Sequence, residues 1–393
     1  MDASREQGYR NAIFGLENSI KAVGGYLGGL LDPTLMDAKV EWEKGFRAEV
    51  EKNPTLRQSY GRAWSEIARV NAEYTAMNDE LVYSSFAHFP TLAMARDIVR
   101  LTAEMDRPES ERTMSPQAIA AAQRRIASER EIDEEYQIHL LMRRLPAARE
   151  ALGADHPFVV AALGGQDVRA AAHRLIRDSG LDDVAARQAL VEGGAAAVAA
   201  SDDPAIVFAR AVDGWARQLE GRVTELRAVE GVNEEKVAEA LFAIYGTMLP
   251  PDATFTLRLS DGVVARYPLN GTFAPFKTTI YGLFDRAEAF GYQDPWEVAP
   301  KWLAARERLD LSTPLNFVCT ADIIGGNSGS PVINRNAEIV GLVFDGNMEM
   351  LPNRFLYRDD VARTVSVHSM AIIEALRKIY DAGALADEIE GKN

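Results

Sequence analysis

The sequence of 393 residues is short of cysteine, of long apolar runs and of positive charge. Its one cysteine, Cys319, excludes an internal disulfide, although it does not separate cytoplasm from periplasm. No run approaches 18 uninterrupted apolar residues, so no membrane-spanning helix is predicted. The 43 Lys and Arg residues are outnumbered by 58 Asp and Glu, for a formal charge of −15. That balance argues against nucleic acid as a general partner, because nothing offsets phosphate repulsion. Nor do the first twenty residues, MDASREQGYRNAIFGLENSI, hold the basic segment and apolar core of a secretory signal. Two readings stay open: the protein stays inside the cell, or the sequence begins partway through a longer one.

What is present fits a folded protein of two or three domains. The 47% hydrophobic and 26% charged fractions are ordinary for a globular chain with sizeable cores. From about residue 8 to 246 the apolar spacing is helical. Tyr60, Trp64, Ile67, Asn71 and Tyr74 recur at three- and four-residue intervals, which predicts one face of a long helix. Ser115-Pro116 reads as an N-cap with proline in the first turn, opening a helix expected to run toward Pro146. Asp155-His156-Pro157 reads as another start. The Ala-rich stretch 170–212 is broken at Gly180, at Gly193-Gly194 and at Ser201-Asp202-Asp203-Pro204, which predicts several short packed helices. A last helix is expected around 234–246, ending near Gly246. No fixed-period repeat is evident.

After Leu249-Pro250-Pro251 the pattern changes to β. FTLRLSDGVVARYPL alternates around Asp261-Gly262 and predicts a hairpin turning there. LNFVCTADIIGGNSGSPVIN and AEIVGLVFDG add two β-rich segments, and 369–390 returns to helical spacing. The expected class is α+β: a helical domain over 1–249, then over 250–393 one all-β unit of barrel or sandwich size with a terminal helix.

Within the β unit, Gly326-Asn327-Ser328-Gly329 is a Gly-x-Ser-Gly turn followed by Ser330-Pro331. Glycines there permit backbone angles that other residues resist. The serine can then project its hydroxyl while neighbouring N–H groups face a developing oxyanion. The competing reading is a plain Gly-rich hairpin turn, and Asp345-Gly346 is equally an ordinary turn pair.

The chain resembles the bacterial serine exo-dipeptidyl-peptidases of the chymotrypsin clan, dipeptidyl-peptidases seven and eleven. FVCTADIIGGNSGSPVINRNAEIVGLVFDGN is similar to that family's nucleophile block. FTLRLSDGVVARYPLNGT, YRDDVARTVSVHSMAIIEALRKIYDAG and FGLENSIKAVGG resemble its first strand pair after the helical insertion, its C-terminal segment and the start of its helical cap. The resemblance implies Ser328 as nucleophile, with the backbone N–H groups of Ser328 and Gly326 as oxyanion hole. It implies Asp345, assisted by Asn18, as the site for a substrate's free α-amino group. Gly346 takes the position where an arginine goes with acidic P1 residues, which implies hydrophobic P1 side chains here. The partner implied is a peptide with a free N-terminus, cleaved by a periplasmic homodimer. No cofactor and no metal is implied.

A chymotrypsin-type triad also needs a histidine and an aspartate, placed upstream of the serine. His88, His139, His156 and His173 fall in helical contexts, and His368 follows the nucleophile. His368 stands in SVHS, where the family usually shows an aspartate, and reads as a surface or helix-cap residue. Asp359 and Asp360 resemble a structural pair. The expectation is therefore a helical cap plus the C-terminal part of a chymotrypsin-like β-barrel, inactive alone because the base and its aspartate are missing. Two alternatives remain: a non-catalytic peptide-binding scaffold that keeps the cap and a half-site, and an intracellular helical interaction module with an unrelated β domain.

Overall fold

The computed structural model describes residues 3–129, 132–246 and 257–392, with side chains of the first helix from Ile13 onward. The chain opens with α1 (Ala3–Leu31) and α2 (Pro33–Lys52). It divides into two compact units, residues 49–248 and residues 1–48 with 249–393. The first 48 residues of the expected cap domain thus belong by contact with the sheet region, because α1 packs on the segment 348–354.

The helical unit continues with α3 (Pro54–Tyr60), α4 (Ala63–Ala76), α5 (Asn78–Ser84), α6 (Pro90–Met105), α7 (Pro116–Ile126) and α8 (Glu134–Leu152). Then come α9 (Pro157–Leu163), α10 (Val168–Ile176), α11 (Val184–Glu192), α12 (Gly194–Ala200) and α13 (Pro204–Tyr245). Its core joins Leu92, Ile98 and Leu101 of α6 to Ile138, Leu141 and Leu145 of α8 and to Ile206 and Phe208 of α13. Phe158 of α9 sits edge-on to Phe208 at 5.7 Å. Caps fix the starts. Ser115 Oγ accepts from Ala118 N at 3.2 Å, and His156 Nδ1 accepts from Phe158 N at 3.2 Å. Asp203 holds both Ala205 N and Ile206 N.

Several helix limits differ from expectation. The helix opened by Ser115 ends at Ile126, because Asp133 caps a new one and takes Tyr136 N at 2.9 Å; Pro146 lies inside that second helix. Tyr60 closes α3, and α4 begins only at Ala63, so the 60–74 face is split at Gly61; its Asn71 is exposed. The last helix starts at Pro204 rather than near 234, and it ends at Gly246 as expected. The breaks at Gly180, Gly193-Gly194 and 201–204 stand where the sequence placed them.

In the sheet unit, β1 (Tyr267–Leu269) and β2 (Thr272–Ala274) form a hairpin. Strands β3 (Lys277–Thr279), β4 (Pro314–Cys319), β5 (Pro331–Ile333), β6 (Ile339–Gly346) and β7 (Thr364–His368) form an antiparallel sheet in the order β3-β4-β7-β6-β5. The hairpin turns at Asn270-Gly271, both at positive φ (49° and 77°), not at Asp261-Gly262. Asn-Gly suits a type I′ turn as well as Asp-Gly does, and 257–266 instead runs beside β4, bridging Val264 to Cys319. Nor is the region all-β: α14 (Ile280–Ala289), α15 (Pro300–Ala305), α16 (Ser369–Lys378) and α17 (Gly383–Ile389) are helical. Ile280, Phe284, Ala305, Leu309 and Ile379 make its core. The helices within 280–305 were missed because their apolar spacing is short and lies among turn residues. The class is α+β, as expected.

Candidate functional site

Ser328 sits on the loop between β4 and β5, and its root is tied down from several sides. Tyr357 Oη donates to Thr320 O at 2.9 Å, and Thr364 Oγ1 donates to Ala321 O at 2.5 Å. Thr320 N donates to Val263 O at 3.0 Å, and Ser260 Oγ donates to Asp322 O at 2.8 Å. Arg363 is buried and gives its guanidinium to the carbonyls of Ala265, Arg266 and Asp359, which holds the 265–266 segment beside the loop.

The tip differs from the root. Gly326 and Gly329 hold φ of +102° and +87°, a region that side-chain-bearing residues resist, and Ser328 is exposed between them. Asn327 N donates to Ile324 O, Gly329 N to Val343 O and Ser330 N to Asn327 O. The N–H groups of Gly326 and Ser328 donate to no described residue. Two open donors therefore flank an exposed hydroxyl, the arrangement that an oxyanion requires.

The Gly329–Val343 bond at 2.8 Å, with its return from Val343 N to Ser330 O at 3.0 Å, lays the serine loop along β6. Two residues further on, the β6–β7 register shifts between Val343 and Asp345. Such a bulge re-aims the side chain that follows it. The Asp345 carboxylate accepts Gly346 N at 2.8 Å and lies 3.5 Å from Lys21 Nζ of α1. Next to it, the Met350 sulfur approaches the bare Cα of Gly346 so closely that a Cβ there would displace it.

α1 lies against this end of the sheet unit through one face. Gly25 admits Leu351, Gly29 admits Pro352 and Phe355, and Tyr26 meets Phe355 edge-on at 6.3 Å. Lys39 Nζ of α2 donates to Phe355 O at 2.6 Å. Asn18 is exposed one helical turn before Lys21, and no hydrogen bond joins it to Asp345. The structure thus brings Ser328, Gly326, Asp345 and Gly346 to one end of the sheet, with Asn18 on the neighbouring helix. Lys21 and Met350 were missed. Their sequence neighbourhoods carry no signal, since each acquires its place from a contact made by the fold.

His368 is the one histidine of the sheet unit. It ends β7 opposite Gly341, its Nδ1 accepts Met370 N at 3.2 Å, and its ring meets Phe317 edge-on at 5.6 Å. Burial, and secondarily the charge of Lys277, push its pKa below the usual value. It is a helix cap, as the sequence suggested, and it makes no hydrogen bond to Ser328. Burial raises the Asp322 carboxyl, and burial, followed by the charges of Asp359 and Asp322, raises the Tyr357 phenol. Among the described residues no group of three His, Cys, Asp or Glu side chains could hold a metal ion, and no helix is long and apolar enough to cross a membrane.

One protein family matches along the chain: the description Peptidase S46 covers residues 1–391. Among curated proteins, the chain is 34% identical over 182 residues to dipeptidyl-peptidase 7 of Porphyromonas endodontalis, taking in 42% of this chain and 21% of that protein. It is 24% identical over 434 aligned positions to an Asp/Glu-specific dipeptidyl-peptidase of Shewanella putrefaciens, taking in 97% and 57%. Among solved structures, Porphyromonas endodontalis DPP11 in complex with the dipeptide Arg-Glu superposes with a TM-score of 0.70 at 20% identity, over 95% of this chain and 55% of that one. The fold is shared, and this chain spans about half the length of these relatives.

Proposed function

The chain belongs to the Peptidase S46 family, and from that premise we propose that it carries the nucleophile half of a serine dipeptidyl-peptidase. Ser328 Oγ attacks the carbonyl of a peptide's second residue, forming an acyl-enzyme and releasing the shortened peptide as its amine. Water then releases the dipeptide. The Gly326 and Ser328 N–H groups hold the oxyanion. Asp345 takes the substrate's α-ammonium with help from Asn18, which limits cleavage to free N-termini. Gly346, floored by Met350, accepts an apolar P1 side chain. Some relatives are named Asp/Glu-specific, and the apolar preference rests on Gly346 carrying no cation. The working enzyme is a periplasmic homodimer.

The observation that carries this reading is the pair of open N–H groups around exposed Ser328, set beside an anionic carboxylate on the same strand end. A second reading, peptide binding without turnover, is favoured for this chain alone by the commitment of His368 to its helix cap. Calorimetric titration with dipeptides separates the parts of the proposal. Free-amine dipeptides ending in Leu or Phe should bind, and their N-acetyl forms should not. Equal binding of the acetylated forms would remove Asp345 from the role, and preference for Asp or Glu would remove Gly346. Dipeptidyl-naphthylamides should not be hydrolysed by this chain. Labelling of Ser328 by a serine-directed phosphonate would show that a base is present after all.

A further inference from the structure

We infer that Asn347 is a positioning residue: its side-chain amide sets Gly346 against Met350, and with it the P1 preference of the site. The inference rests on the peptidase reading and deepens it. Pairing of β6 with β7 ends at Gly346, opposite Thr364. The next pair across the two chains is Asn347 and Arg363, and in an antiparallel ladder it would exchange two backbone hydrogen bonds. Only one is of that kind: Asn347 N donates to Arg363 O at 3.0 Å. In the other, Arg363 N donates at 2.8 Å to Asn347 Oδ1, so the side-chain oxygen stands in for the backbone carbonyl. The same amide spends its nitrogen on the chain opposite, where Nδ2 donates to Val361 O at 2.8 Å.

This arrangement frees the Asn347 carbonyl, which accepts Met350 N at 3.1 Å instead. That bond opens the 3-10 helix Met348–Arg354 directly after the strand, and its Met350 sulfur comes against the bare Cα of Gly346. One amide therefore lets a strand end and a tight turn follow without a linker. The anchor it holds is itself fixed: Arg363 is buried, with its guanidinium on the carbonyls of Ala265, Arg266 and Asp359. Asparagine supplies both a donor and an acceptor at this reach. Alanine offers neither, and an aspartate carboxylate keeps the acceptor but not the donor. Without the acceptor, Arg363 N is unsatisfied unless it recaptures the carbonyl of residue 347. Recapture pulls that carbonyl from Met350 N and withdraws the sulfur from Gly346.

Calorimetric titration of the full chain with free-amine dipeptides ending in Leu or Ala tests the role, with urea unfolding alongside. The parent should prefer the Leu dipeptide. In Asn347→Ala that preference should fall about tenfold, the order of effect that a methylene contact carries in an apolar pocket. Asn347→Asp, which keeps the oxygen for Arg363 N, should retain most of it. Met350→Ala removes the sulfur with the amide bonds intact and should lose the preference as Asn347→Ala does. A residue that only stabilised the fold would lower the urea midpoint and leave the Leu-to-Ala ratio alone. An unchanged ratio in Asn347→Ala would therefore overturn the inference. A parent-like ratio in Met350→Ala would overturn it too, however well Asn347→Ala folds, as would an Asn347→Asp ratio that falls as far as that of Asn347→Ala. A parent that binds neither dipeptide instead overturns the peptidase reading of this end.

Discussion

Lys21 places its ammonium 3.5 Å from the carboxylate assigned to a substrate's α-amino group. Both side chains are more than a third exposed, so the pair contributes little, about 1 kcal/mol at most. If a dipeptide's ammonium must share or displace that contact, Lys21→Met should tighten binding of free-amine dipeptides by up to about fivefold. Weaker binding in the same titration would mean that Lys21 holds Asp345 in place or touches the peptide itself. His368 gives a second prediction at this scale. Its folded pKa is depressed, so as pH falls through about 6.5 the unfolded chain takes up a proton that the folded chain refuses. Stability should therefore decline below that pH and level off once the folded pKa is passed. In His368→Asn, which keeps a capping side chain, this part of the slope should vanish. An unchanged urea-midpoint profile between the two proteins would refute the assignment. The roles proposed for Ser328, Gly326, Asp345 and Gly346 come from the resemblance, whereas the Gly326–Gly329 turn was legible in sequence because its turn chemistry lies in adjacent residues. Lys21 was not, because it stands 324 residues from Asp345 and only the fold joins them.

Among the elements, β6 depends on a close approach that no propensity describes. A Cβ at Gly341 would collide with the Val367 carbonyl of β7 and with the Phe317 ring of β4. Gly341→Ala should therefore separate strands in the middle of the sheet and cost about 1–3 kcal/mol, as overpacking does, measured by urea unfolding. No loss would mean that both the Val367 carbonyl and the Phe317 ring give way without cost. The start of α13 depends on one side chain: Asp203 accepts from Ala205 N, Ile206 N, Gly180 N and Ser179 Oγ. Asp203→Ala should cost about 1–2 kcal/mol, read in the same way. Where helices begin was legible from such caps and from prolines, because those signals are local. The hairpin and the far ends of helices were not. Asp261-Gly262 and Asn270-Gly271 carry equivalent turn chemistry, and pairing along β4 decides between them. α13 runs on through Gly214, Gly221 and Gly231 because packing against α4, α6 and α9 outweighs their low propensity.

At the scale of the whole molecule, two cores share no residue. One is built around Phe158, Phe208 and Leu141 within 83–215, the other around Phe284, Leu309 and Ile379 within 280–379. The change of period near residue 250 announced the second core, but not that residues 1–48 group with it, since α1 is helical like its neighbours and reveals its allegiance only by its contacts. Separate cores predict that heating unfolds the chain in more than one step, because cooperativity follows shared burial. Phe284→Ala empties the smaller core and should cost about 3–5 kcal/mol. That corresponds to a fall of roughly 10 °C in the transition of a unit this size, with the transition of the helical unit unmoved. Phe158→Ala should do the reverse. Calorimetry on the two variants decides the matter: if either substitution moves every transition by the same amount, the two units unfold as one cooperative body.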